Sequence, residues 1–117
     1  FARAALADYA QHFASVDALA KAGEWVVANY SVDVRAVSAS AVPFLMLFGV
    51  VAGGWQMARA ALVAQSRIDA GDSDPFYPAK LITARFFADH QLSKAEGLAS
   101  SVVDGASGVL ALGEDWF

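Results

Sequence analysis

The sequence predicts an all-α fold, an antiparallel helical bundle of three long helices plus a short fourth. Three observations carry that prediction. Alanine dominates, and it loses no side-chain entropy in a helix, whereas β-branched residues are a minority. Apolar residues recur in steps of three and four, and no stretch shows the two-residue alternation of a strand. Proline, glycine and aspartate collect at a few points that divide the chain into long uninterrupted segments.

The first helix is expected from about Ala2 to Asn29. Its apolar seam is Leu6, Tyr9, Phe13, Val16, Ala20, Gly23, Val27 and Tyr30, with Asp8, Asp17, Lys21 and Glu24 facing solvent. A short helix over about 32–39 follows, capped by Ser31 or Asp33. The second long helix runs from about Ala41 to Ile68. With Ser40 as N-cap, Pro43 falls in the first turn, where its missing N–H is harmless. The cluster 69–74 (Asp-Ala-Gly-Asp-Ser-Asp) ends it. Asp74 and Pro75 then open a third helix as N-cap and first residue. Its apolar face is Phe76, Tyr77, Leu81, Ala84 and Ala88, widened by Phe86 and Phe87 and continued by Leu92, Ala95, Ala99, Val102, Ala106 and Val109. This segment is either one long helix or two nearly collinear ones broken at 91–93, and it ends near Ser107. Trp116 and Phe117 are expected to dock on the bundle or on a partner.

The second long helix carries no charge from Ala36 to Ala58, a length that also suits a membrane span. The competing reading is a central helix enclosed by its neighbours, and the long amphipathic flanking helices favour it. Gly49, Gly53 and Gly54 fit the same reading. Each costs about 1 kcal/mol of helix stability relative to alanine, so three together imply close helix–helix approach. Arg59 follows the uncharged run, and Lys80, Arg85 and Asp89 lie in the third helix. A structural ion pair among Arg59, Arg85 and Asp89 is expected, since a guanidinium fork matches a carboxylate.

Composition bounds function further. The 117 residues are 57% hydrophobic and 17% charged, which suits one packed domain over residues 1–117. A net charge of -4, with the basic residues scattered singly, excludes a nucleic-acid surface. With no cysteine there is neither a disulfide nor a thiolate metal site, which suits a cytoplasmic protein. The opening Phe1-Ala2-Arg3 resembles neither an initiation site nor a signal peptide, and it predicts a chain cut from a longer protein. A di-metal bundle needs Glu-x-x-His pairs, and Glu24, Glu96 and Glu114 supply none. His12 lies one turn from Asp8, which reads as a surface contact, whereas His90 and the adjacent Asp89 point about 100° apart on a helix and cannot form one site unaided. No catalytic, metal or cofactor-binding constellation emerges.

The runs Ala41-Val42-Pro43-Phe44-Leu45-Met46-Leu47-Phe48-Gly49, Ala52-Gly53-Gly54-Trp55 and Met57-Ala58-Arg59 resemble the acyl-CoA dehydrogenase C-terminal-like domain of the 3-methylmercaptopropionyl-CoA dehydrogenase type. So do Asp74-Pro75-Phe76-Tyr77, Lys80-Leu81, Thr83-Ala84-Arg85-Phe86-Phe87-Ala88 and the close Ala111-Leu112-Gly113-Glu114-Asp115-Trp116-Phe117. Ser93 departs from the proline common there. The resemblance implies a parent flavoenzyme in which FAD and a catalytic Glu, both in preceding domains, dehydrogenate an acyl-CoA thioester. It implies as partners the rest of that chain and further copies in a homo-oligomer, with neither nucleic acid nor membrane. Two alternatives stand beside this reading. One is a free-standing bundle binding an acyl chain or other small ligand among Phe44, Phe48, Trp55, Phe86 and Phe87; the other is a membrane-inserted hairpin.

Overall fold

A computed structural model of the chain describes the backbone of residues 2–116 and the side chains of residues 10–116. Six α-helices follow one another: α1 (Ala2–Asn29), α2 (Val34–Ala39), α3 (Ala41–Asp69), α4 (Phe76–His90), α5 (Ala95–Asp104) and α6 (Ala106–Leu110). No strand occurs among the described residues. The bundle has three rods. α1 and α3 are single helices, and the third rod is α4 and α5, joined by a 3-10 turn at Leu92–Lys94. Of the two arrangements left open for this segment, the one broken near 91–93 is therefore present. α3 packs on both α4 and α5, α1 packs on α5 and α3, and the short α2 meets α6.

The helix ends follow local chemistry. Asp33 caps α2, its carboxylate accepting the Ala36 amide at 3.1 Å. Ser40 does precede α3, but its hydroxyl makes no cap. It is buried and donates instead to the Val102 carbonyl of α5 at 2.7 Å. α3 stops in a Schellman motif, with Gly71 N donating to Ile68 O, Asp72 N donating to Arg67 O, and Gly71 at φ 85. The Asp74 carboxylate accepts the Phe76 amide at 2.9 Å, so α4 begins one residue beyond Pro75. Gly105 separates α5 from α6, and a Cβ there would run into the Ser101 carbonyl oxygen.

Two glycines of α3 admit neighbours as expected, and one does not. A Cβ on Gly53 would lie 2.7 Å from Phe87 Cζ, and one on Gly54 would lie 2.8 Å from Leu92 Cδ1. Gly49 has nothing within 4 Å. The core sits where α1, the first half of α3 and α5 converge: Ala22, Leu47, Val51, Ala95 and Val102, flanked by Leu19, Trp25, Val26, Phe44, Leu98 and Ala99.

Three expectations need correction. α1 buries Ser15, Ala18 and Ala22, whereas Phe13, Val16, Ala20, Val27 and Tyr30 of the anticipated seam are exposed, Phe13 at 67% and Val27 at 78%; the Leu6 and Tyr9 side chains lie outside the described residues. Both faces of α1 are apolar, and small residues won because they let α3 and α5 come close. α3 is not enclosed: only Leu47, Val51, Gly54 and Ala64 are buried, and its other side is open. Three rods can cover one face of a central helix but not its whole circumference. Of the two docking places expected for Trp116, the bundle is not used among the described residues, since the side chain is 75% exposed; Phe117 lies outside the described residues. The molecule is correspondingly long, 66 × 28 × 19 Å. Its radius of gyration is 18.5 Å, against about 13 Å for a compact domain of this size.

Candidate functional site

The most distinctive surface is the outer side of α3. Leu45, Phe48, Ala52, Trp55, Arg59 and Leu62 follow one another in steps of three and four, so they share one stripe along the helix. All are exposed except the half-buried Ala52, with Leu45 at 71% and Trp55 at 51%. Val42, Met46 and Val63 flank the stripe and are exposed as well. On α1 the residues Phe13, Val16, Ala20 and Val27, with Tyr30 just beyond its end, make a second outward stripe. The 3-4 periodicity that predicts helix thus also marks the two faces the bundle leaves bare.

The charged residues singled out from sequence separate into two places. Arg85 and Asp89 pair across one helical turn at 3.1 Å, with both side chains about half exposed. Arg59 does not join them, because it sits on α3 with its guanidinium over the Trp55 ring, 5.0 Å from the centroid. Lys80 lies over Phe76 at 5.2 Å. Each of these cations has an aromatic face as its partner rather than a carboxylate. Arg59, Lys80, Gln56, Val63 and Tyr77 border an open groove of about 360 Å³ between α3 and α4. A second open groove, about 530 Å³, lies near the α3–α4 turn against Ile68, Pro78, Leu81 and Ile82.

Pro43 occupies the first turn of α3, half-buried. His12 carries a buried Nδ1 with no hydrogen-bond partner among the described residues, and the Asp8 side chain lies outside them. His90 stacks on Phe86 with ring centroids 4.3 Å apart. Phe44 and Phe87 pack inward, whereas Phe48, Trp55 and Phe86 are exposed. None of these five lines either groove. Among the described residues no three His, Asp or Glu side chains converge on a metal position. A flavin ring needs an enclosed slot edged by hydrogen-bond donors. The two grooves are open, and their linings do not fit that group.

Sequence comparison places these features in a family. The model of a family described as acetyl-CoA dehydrogenase C-terminal like matches residues 1–113. A 3-methylmercaptopropionyl-CoA dehydrogenase of Ruegeria pomeroyi is 34% identical over 102 residues. That match covers 86% of this chain and only 17% of the relative's length. No solved structure matches. With an all-helical fold and a family match along nearly its whole length, the chain belongs to the acetyl-CoA dehydrogenase C-terminal-like family.

Proposed function

We propose that this chain is a helical packing domain of an FAD-dependent acyl-CoA dehydrogenase, holding the parent enzyme and its subunits together without entering the chemistry. The observation that carries this reading is the pair of outward apolar stripes on α1 and α3. Contiguous exposed apolar surface of this kind marks an interaction site. In the parent reaction a carboxylate takes the α-proton of the thioester and FAD accepts the β-hydride. Glu24, Glu96 and Glu114 are exposed, and none faces a groove into which a thioester fits. The absence of cysteine suits a cytoplasmic setting.

α3 is long and apolar enough to cross a membrane, and it is the sole described helix that is. Protein rather than lipid is favoured as its cover. The helices packed beside it carry Asp17, Lys21 and Glu24 on α1 and Arg85 and Asp89 on α4, so a membrane around α3 would also engulf those charges. Each charge at the bilayer centre costs about 3 kcal/mol or more.

The test compares three purified proteins: the full-length dehydrogenase, the same enzyme lacking this domain, and this chain alone. The full-length enzyme should be yellow, active and oligomeric. The truncated enzyme should lose subunits or stability, and this chain should be colourless and inactive without needing detergent. Flavin on the isolated chain, or an unchanged truncated enzyme, would overturn the reading.

A further inference from the structure

We propose that the outer stripe of α3 is the seat of one α-helix from the body of the dehydrogenase, laid lengthwise with its closest approach at Gly49 and a carboxylate opposite Arg59. The proposal rests on the packing role above and adds to it a partner element, a register and a charge. Spacing supplies the element. Leu45, Phe48, Ala52, Trp55, Arg59 and Leu62 repeat as the knobs of one helix seated along another do. A strand or an irregular loop would match only part of an 18-residue stripe of this period.

Gly49 supplies the register. A glycine in mid-helix costs about 1 kcal/mol relative to alanine. Gly53 and Gly54 repay that by admitting Phe87 and Leu92, but among the described residues nothing lies within 4 Å of a Cβ at Gly49. It stands beside Leu45, Phe48 and Ala52, where a missing side chain lets a second backbone come near. Gly97 on α5 is just as open, but it lies among Glu96, Ser100, Ser101 and Asp104, outside any apolar stripe. Arg59 supplies the charge. It occupies a stripe position, where one ionised residue fixes the alignment of two helices, and it has Trp55 in place of a carboxylate. Arg and Trp, side by side on this apolar stripe, are also among the residues most enriched at binding hot spots. The partner chain segment exists in quantity, since the matched relative has 83% of its length outside the alignment.

The test uses the full-length enzyme with Gly49→Leu, Arg59→Glu and, as control, Gly97→Leu. The readouts are the rate at which limited proteolysis releases this domain and the native mass. Gly49→Leu and Arg59→Glu should each speed release about tenfold or more, with unchanged mass and an unchanged rate for Gly97→Leu. Arg59→Glu alters an exposed side chain and keeps the test valid should Gly49→Leu fold poorly. If all three variants match the parent while the domain stays protected, the stripe is bare and this inference fails, though the packing role stands. If the parent itself releases the domain at once, the packing role fails too. If the variants change the number of subunits rather than the release rate, a second copy covers the stripe and the assignment to the enzyme body is wrong.

Discussion

At Gly54 the absence of a side chain is what lets Leu92 reach the core, because a Cβ there would lie 2.8 Å from Leu92 Cδ1. At Gly49 the same absence serves no contact among the described residues. The two positions should therefore respond oppositely to substitution. Gly49→Ala should raise the stability of the isolated chain by about 1 kcal/mol, the ordinary helix preference. Gly54→Leu should lower it by about 1–3 kcal/mol through overpacking, with urea unfolding as the measure of both. Ser40 is a second point where tertiary structure overrides a local rule. Sequence alone makes it a cap, but its hydroxyl is buried against the Val102 carbonyl and ties the start of α3 to α5. Ser40→Ala should cost about 1 kcal/mol, the net worth of one hydrogen bond, with no loss of α3 helicity by circular dichroism. A lost cap would instead shorten the helix.

Element boundaries were legible because breakers act locally. Asp33 caps α2, Gly71 closes α3, Asp74 opens α4, and of the two arrangements left open for the third rod the broken one is present; the end expected near Ser107 is not, because Gly105 interrupts the helix and α6 carries on to Leu110. Gly71 has the chain's one left-handed backbone conformation among the described residues. Gly71→Ala should destabilise the α3–α4 turn by about 1–2 kcal/mol, measured as a lower urea midpoint. Which face of a helix turns inward was less legible. α1 has apolar residues on both sides, and periodicity finds the stripe with larger side chains, whereas burial chose Ala18, Ala22 and Ser15. On the outer side of α1, Lys21 pairs with Asp17 at 2.9 Å. The Lys21 amine is raised above the ordinary lysine value, first by its hydrogen bond to Asp17 and then by that carboxylate's charge. A raised amine supports the folded state below its unfolded pKa, and that support disappears as pH climbs through the folded value. Helicity of α1 should accordingly weaken in strong alkali, and Asp17→Asn should remove that dependence in a circular dichroism titration.

Over the whole molecule, the length of 66 Å and the two bare stripes follow from one arithmetic fact. Three rods bury one face of each, and this chain has apolar residues enough for more. The sequence therefore revealed three helices side by side but not the enclosure of α3, since a charge-free run reads alike whether its cover comes from the same chain or another. The isolated chain should self-associate with rising concentration in sedimentation velocity, and Leu45→Glu with Leu62→Glu should return it to monomer. The most direct measurement is hydroxyl-radical footprinting of the isolated chain, diluted until it is monomeric, and of the full-length dehydrogenase, read at Leu45, Met46, Phe48 and Trp55. Each is half or more exposed here, and each should be strongly protected in the full enzyme. Equal labelling in the two proteins would mean that the outer side of α3 meets water in both, contradicting a packing role for that face.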